Sequence, residues 1–257
     1  MNIIVCIKSV PGLITGLSIS QNGERLEPVV RSYCINETDE YAIDEALVLR
    51  EKYGGQVTVI SVGPASAEES LQAAVAKGAD KALRIDIPAT DSEITSMALA
   101  ESISKMQYDL ILAGLESSDN LASQVGIATA ERLGIPFVFA ATQIEIIPEG
   151  KTARVTRELG NACYQVLEIE LPALIATQTG VQKLTYAPVA KLLQAKRRGI
   201  ECLKTADLPL CQAALQHSRK WRYLEVFQTR RKHTVNYLGG TPEAIAAEVV
   251  NRIKESL

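Results

Sequence analysis

Histidine is almost missing from this 257-residue chain: only His217 and His233 occur, both in a polar late segment. A catalytic triad or a histidine-rich metal centre is hard to build from that stock. The five cysteines, at 6, 34, 163, 202 and 211, are odd in number and form no Cys-x-x-Cys pair. Free thiols in a reducing cytoplasm are therefore expected. No apolar run reaches the length of a membrane-spanning helix, so no direct membrane insertion is expected. The apolar start, Ile3 to Ile7, is too short for the core of a signal peptide and has no basic flank before it. Positive charge is not in excess: the net charge is −3, which leaves no footprint for nucleic acid. The phosphate loops of common nucleotide enzymes are also missing. There is no Gly-x-x-x-x-Gly-Lys-Ser/Thr and no Gly-x-Gly-x-x-Gly after a strand, which argues against nucleotide hydrolysis and dinucleotide-dependent catalysis. No residue stands out as a general acid, base or nucleophile.

What is present is an alternation. The chain is 47% hydrophobic and 22% charged, enough to bury a core in one large or two small domains. Ile3 to Ile7 reads as a buried parallel strand, broken by Lys8-Ser9-Val10-Pro11-Gly12. Residues 13–30 read as irregular, with an Asn22-Gly23 pair that suggests a hairpin. Asn36-Glu37-Thr38-Asp39 opens a helix to about Lys52, with Ala42, Ala46, Leu47 and Leu49 on its apolar side. Asn36 or Thr38 can cap it, and its acidic first turn suits the helix dipole. A strand over Val57–Val62, a helix over Ala67–Lys77, a strand over Lys81–Ile85 and a helix over Asp91–Met106 follow. Strands alternating with helices imply a mostly parallel sheet covered on both faces.

The rest is organised around Tyr108 to Pro136. An apolar run, Leu110 to Ala113, turns through Gly114 into the polar loop Glu116-Ser117-Ser118-Asp119-Asn120. A helical pattern follows and stops at Gly134 and Pro136. In a parallel sheet the carboxyl end of a strand is where ligands bind. Gly114 would let a ligand approach the backbone, the loop could hydrogen-bond a sugar or base, and the helix N-terminus would suit a phosphate. The plain alternative is that Asp119 or Ser118 simply caps the helix of an ordinary turn.

Beyond Pro136 the pattern changes. Three strands, Phe137 to Ile147, Lys151 to Glu158 and Tyr164 to Leu171, read as a small antiparallel insertion at about 137–171. Ala173 to Thr177 returns to the buried sheet, and Pro188 to Arg198 is a helix. From Gly199 the composition is polar and irregular, with Trp221, Tyr223, Leu224, Val226 and Phe227 grouped in an otherwise polar stretch. Such a group marks a surface that another chain covers, or else one more short strand packed on its own domain. A last amphipathic helix runs from Pro242 to Ser256.

Four segments carry a resemblance over nearly the whole chain. They are IIVCIKSVP, INETDEYAIDEAL, AGLESSDNLASQVG and VTRELGNACYQVLEIELPALIA. Together they resemble the beta subunit of electron transfer flavoproteins, including its nitrogen-fixation-type relatives. The fourth departs from the family at its centre, where Gly160-Asn161-Ala162 replaces an acidic-Gly-Gly run.

The resemblance implies an α/β fold, a doubly wound, mostly parallel sheet of the adenine nucleotide alpha hydrolase-like type. Residues 1–198 would form the nucleotide-binding domain, and 199–257 a C-terminal arm and helix contacting a partner. It implies a heterodimer with an alpha subunit, an FAD shared with that subunit, and AMP, or a second FAD in its place, on this chain. Electrons would pass from acyl-CoA or other dehydrogenases. By position, the nucleotide would be held by Cys6, Asn36, Glu37, Thr38, Asp39, Val62 and the loop Gly114, Leu115, Glu116, Ser117, Ser118, Asp119, Asn120, Leu121, Ala122, Ser123, Gln124 and Val125. Arg157 and Glu158 would face the partner and its flavin, or else form a cross-strand ion pair on their hairpin. Val189 would anchor a dehydrogenase-docking helix, or else face the core. The rival from another class is a stand-alone adenine-nucleotide sensor of the stress-protein type.

Overall fold

The computed structural model describes residues 1–21, 26–87, 91–147, 151–215 and 237–256. The chain divides into two compact units, 1–18 with 27–222 and 19–26 with 223–257. The first unit is built on one large sheet. Its strands are β1 (Asn2–Cys6), β4 (Gln56–Val62), β5 (Lys81–Asp86), β6 (Leu110–Gly114), β7 (Phe137–Ile146), β8 (Thr152–Gly160), β9 (Cys163–Glu170), β10 (Ala173–Thr177) and β11 (Glu201–Lys204). Between β1 and β4, β2 (Ser9–Ile19) and β3 (Leu26–Ile35) form a two-stranded sheet of their own. The helices of this unit are α1 (Glu37–Tyr53), α2 (Glu68–Lys77), α3 (Ser92–Ile103), α4 (Val125–Leu133), α5 (Val189–Arg198) and α6 (Pro209–Leu215). In the second unit, α7 spans Pro242–Ser256.

The order across the large sheet is β11-β5-β4-β1-β6-β10-β7-β8-β9. Every pair from β11 to β7 is parallel, and the pairs β7–β8 and β8–β9 are antiparallel. From β1 the chain builds outward through β4 to β5, then returns to lay β6 on the other side of β1. The order therefore reverses between β1 and β6. Cys6 stands in register with Ile60 and with Ala113, so three strands present their carboxyl ends side by side.

Alternate side chains of each strand enter two separate cores, as the two-residue period of a pleated strand requires. Ile3, Val5, Val57, Val59, Leu110 and Leu112 join Ala42, Ile43 and Ala46 of α1 and Leu71 of α2 on one face. Ile4, Ile60, Leu83 and Ile111 meet Leu99 and Ile103 of α3 and Ala130 of α4 on the other. Each fully buried Leu or Ile contributes roughly 1.5–3 kcal/mol, so the unbroken apolar runs of the inner strands are what two-sided burial demands.

Two sequence expectations change. Residues 13–30 are not simply irregular: β2 and β3 run through most of them, and β2 already contains Pro11 and Gly12. A two-stranded ribbon offers edge positions where a proline needs no N–H partner. The segment after Gly199 is not irregular throughout. β11 extends the sheet beside β5, and Leu208 and Cys211 are buried in the core under α3. Glu101 of α3 fixes them by accepting from the backbone N–H groups of Leu210 and Cys211. A four-residue strand with one half-buried apolar side chain has too little period to be read in advance. The aromatic group from Trp221 to Phe227, both histidines, the Asn22-Gly23 pair and the 148–150 turn lie outside the described residues.

Candidate functional site

The three level strand ends floor a cavity of about 450 Å³. It lies where the strand order reverses, the place where open α/β sheets bind ligands. Its size falls in the range of small-molecule pockets, roughly 300–1,000 Å³. Cys6, Ile7 and Lys8 leave β1, Val62 and Gly63 leave β4, and Ala113 and Gly114 leave β6 into its lining. The loop from Leu115 to Gly126 forms one wall, Ser66 and Ala67 before α2 form another, and Asp91, Ser92 and Thr95 of α3 contribute a third.

Asn36 is the joint between the two halves. It occupies the N-cap position of α1 yet makes no side-chain capping bond. Its amide donates to the Glu116 carbonyl at 2.7 Å and to Thr38 Oγ1 at 3.0 Å, and its oxygen accepts from the Ser118 N–H at 3.0 Å. Thr38 Oγ1 donates to the same Glu116 carbonyl at 2.7 Å. The capping alternative therefore fails: both side chains are spent on holding a loop eighty residues away in sequence. A buried amide with all its groups paired is rigid, because breaking any one bond strands a polar atom.

Gly114 serves a different purpose from the one its sequence suggests. A Cβ there would collide with the Asp39 carboxylate and the Thr38 hydroxyl. The missing side chain makes room for the start of α1 and not for a ligand. The reward is a direct bond, the Gly114 N–H to Asp39 Oδ1 at 2.9 Å, while Asp39 Oδ2 accepts from the Lys8 N–H at 2.7 Å. One carboxylate thus ties the ends of β1 and β6 together.

The loop holds Leu121 and Ser123 at positive φ, 51° and 52°. Non-glycine residues in that region cost roughly 1–3 kcal/mol each, and such strain collects at ligand sites. α4 begins only at Val125, with Gln124 at its cap position and no side-chain cap. Asp119 and Ser118 therefore do not cap it. Asp119 instead accepts from Lys8 Nζ at 2.6 Å, and the same ammonium reaches Ser117 Oγ at 3.1 Å.

Electrostatics separate the polar groups. Burial pushes the Cys6 thiol up to about 12, with Asp39 adding to the effect, so Cys6 is a neutral, unreactive wall. Burial also raises Asp39 to about 7, although its two backbone hydrogen bonds and Lys8 pull the other way. Burial pushes Asp119 up as well, but there the hydrogen bonds and charge of Lys8 prevail and hold the carboxyl below its ordinary value.

The structure brings most of the expected residues together. Cys6, Asn36, Asp39, Val62, Gly114 to Ser117, Asp119, Asn120 and Ala122 to Val125 line the cavity. Thr38 and Ser118 stand behind it as supports, while Glu37 and Leu121 point to solvent. Lys8, Tyr33 and the α3 head also line it. Lys8 was legible only as a strand breaker; the signal was its place directly after the first strand. Arg157 and Glu158 lie apart on β8, and Arg157 Nε donates to Gln165 at 2.9 Å. Among the described residues, the ion pairs of β7, β8 and β9 belong to Arg154, with Glu168 at 2.8 Å and Glu145 at 3.6 Å. Val189 is 74% exposed at the first position of α5, while Ala195 of the same helix is buried. Among the described residues no cluster of three His, Cys, Asp or Glu could hold a metal ion, and no helix is long and apolar enough to cross a membrane.

Residues 29–208 match the family model of the electron transfer flavoprotein domain. The electron transfer flavoprotein subunit beta of Clostridium acetobutylicum is 33% identical over 99% of this chain and 98% of its own. The subunit of the same name from Methylophilus methylotrophus is 29% identical with the same coverage. Subunit CarD of the caffeyl-CoA reductase-Etf complex of Acetobacterium woodii is 30% identical, again over 99% and 98%.

Proposed function

The chain belongs to the electron transfer flavoprotein beta subunit family, and from that premise we propose that it holds an adenine nucleotide, AMP, in the switch-point cavity and pairs with an alpha subunit that carries FAD. The observation that carries this reading is the bracket at Asn36. It fixes the strand-end loop over a cavity lined by Ser66, Ser117 and Ser123, the Lys8–Asp119 pair and the start of α4. Helix N-termini attract phosphate because their first N–H groups have no partners within the helix. Membership of the family takes the place of the stand-alone sensor. A second FAD in place of AMP is the alternative occupant of the same cavity.

FAD, when bound, supplies the electron chemistry. This chain's own residues position it from outside. Arg157, half-buried on β8 and free of any carboxylate contact among the described residues, offers a guanidinium toward the partner face. The neighbouring hairpin surface is apolar: Leu159, Tyr164 and Val166 are each more than half exposed on β8 and the outermost strand β9. An uncovered apolar edge strand is a liability unless another chain covers it. In this reading residues 1–198, extended by β11 and α6, form the nucleotide-binding domain, and the chain beyond α6 contributes an arm and helix to the partner. Tyr186, Val189 and Leu193, exposed along α5 and just before it, are offered to acyl-CoA or other dehydrogenases.

Isothermal titration of AMP into the nucleotide-stripped complex tests the reading. Asn36→Ala should weaken AMP by at least about tenfold, because the loop loses its two hydrogen bonds to Asn36, worth roughly 0.5–1.5 kcal/mol each. Unchanged affinity in that variant would place the nucleotide elsewhere.

A further inference from the structure

Among the described residues that line the cavity, Lys8 is the one cation, against four carboxylates, Asp39, Asp91, Glu116 and Asp119. Three of the four are occupied by the protein itself. Asp39 accepts from two backbone N–H groups, Asp91 from the Ile94 N–H at the head of α3, and Glu116 from the Ser123 hydroxyl at 3.2 Å. The fourth, Asp119, is held by Lys8 at 2.6 Å. Lys8 leaves the end of β1, and Asp119 sits on the loop after β6, so this pair spans the crevice where the strand order reverses. Both side chains keep access to water, at 40% and 32% exposure. Ion pairs of that kind contribute little to stability, so the two can part at small cost.

A phosphate entering this cavity meets an excess of negative charge. The N-terminus of α4 offers partial charge only, whereas Lys8 offers a whole one within reach of the loop. An ammonium that is already hydrogen-bonded to an anion can exchange that anion for another without being stripped of its partners.

We propose that Lys8 is the phosphate-reading residue of this site and that its ion pair with Asp119 is the resting state. The phosphate of the nucleotide takes the ammonium, and the released Asp119 carboxylate accepts from the ribose hydroxyls. The exchange couples recognition of the two halves of the nucleotide: adenosine alone leaves Lys8 on Asp119 and gains neither contact. This inference rests on the reading of the cavity as an adenine-nucleotide site.

The test compares AMP with adenosine by isothermal titration on the stripped complex of the full chain with its alpha subunit. Wild-type protein should favour AMP. In Lys8→Met, AMP should weaken by roughly ten- to a hundredfold, as expected on losing a charge-assisted contact, while adenosine, which meets an Asp119 already released, should not weaken. Lys8→Arg, which keeps the charge, should restore most of the preference and guards against a folding defect. The AMP affinity of wild type should also fall with salt more steeply than that of Lys8→Met. Equal losses for AMP and adenosine in Lys8→Met would make Lys8 a mere loop brace and overturn the proposal, as would an unchanged AMP affinity. Wild-type protein that binds neither ligand would instead overturn the nucleotide reading, and this inference with it.

Discussion

Glycine at 114 is needed by the chain's own helix, and that makes it a sensitive residue. Gly114→Ala forces a Cβ onto Asp39 and Thr38. Overpacking of this kind costs about 1–3 kcal/mol, and here it also breaks the Gly114–Asp39 bond. Urea denaturation should show a loss toward the upper end of that range. A second residue-scale effect concerns pH. Glu45 of α1 is buried, accepts from Gln182 Nε2 at 3.3 Å, and is raised by burial to about 7, against about 4.3 when unfolded. The folded state therefore holds this proton more tightly than the unfolded one. Its stabilising contribution is complete below about pH 4 and is lost as pH rises through 7. Glu45→Gln should gain on wild type as pH is raised from 4.5 to 8, by several degrees in Tm at the alkaline end. A difference in Tm that stays constant across that range would mean Glu45 ionises normally in the fold.

At the scale of elements, the β8–β9 turn carries a local cost. Asn161 and Ala162 both sit at positive φ, 50° and 57°, the pattern of the hairpin turn that matches strand twist. Asparagine tolerates this region, but alanine does not, at about 1–2 kcal/mol. Ala162→Gly should therefore stabilise the protein by up to about 1 kcal/mol, less than the full strain because glycine gains freedom in the unfolded chain. Thermal unfolding measures it; a destabilised variant would mean the turn is held by contacts of the Ala162 methyl. Such turns show how far elements were legible. The inner strands and the helices from Asn36 to Gly134 announced themselves through apolar runs, acidic first turns and terminal glycines, since local chemistry decides them. Gly134 is a left-handed C-cap, with the Ile135 N–H closing on Ala130. β11 was not legible, because its place is decided by a neighbour, β5, more than a hundred residues earlier in the chain. The candidate loop was found from Gly114 and its polar run, but the roles within it were not. Asn36, Asp39 and Lys8 act through partners that only the sheet order brings together.

For the whole molecule, the account makes this chain one half of an assembly. The exposed apolar edge at β9 should be the surface that the alpha subunit covers. Backbone amides of 163–170 should exchange measurably more slowly in the complex than in the isolated chain, and Val166→Lys should weaken assembly. Equal exchange in both states would move the interface elsewhere. The central claim, that the reversal of strand order between β1 and β6 makes an adenine-nucleotide site, has a direct test. The chain is co-expressed with its alpha partner, purified and denatured, and the released small molecules are identified by mass spectrometry. The account predicts AMP in about equal amount to this chain alongside FAD, with the AMP lost in Asn36→Ala while the FAD stays. Release of a single FAD per complex, with no AMP and no second FAD, would contradict the account.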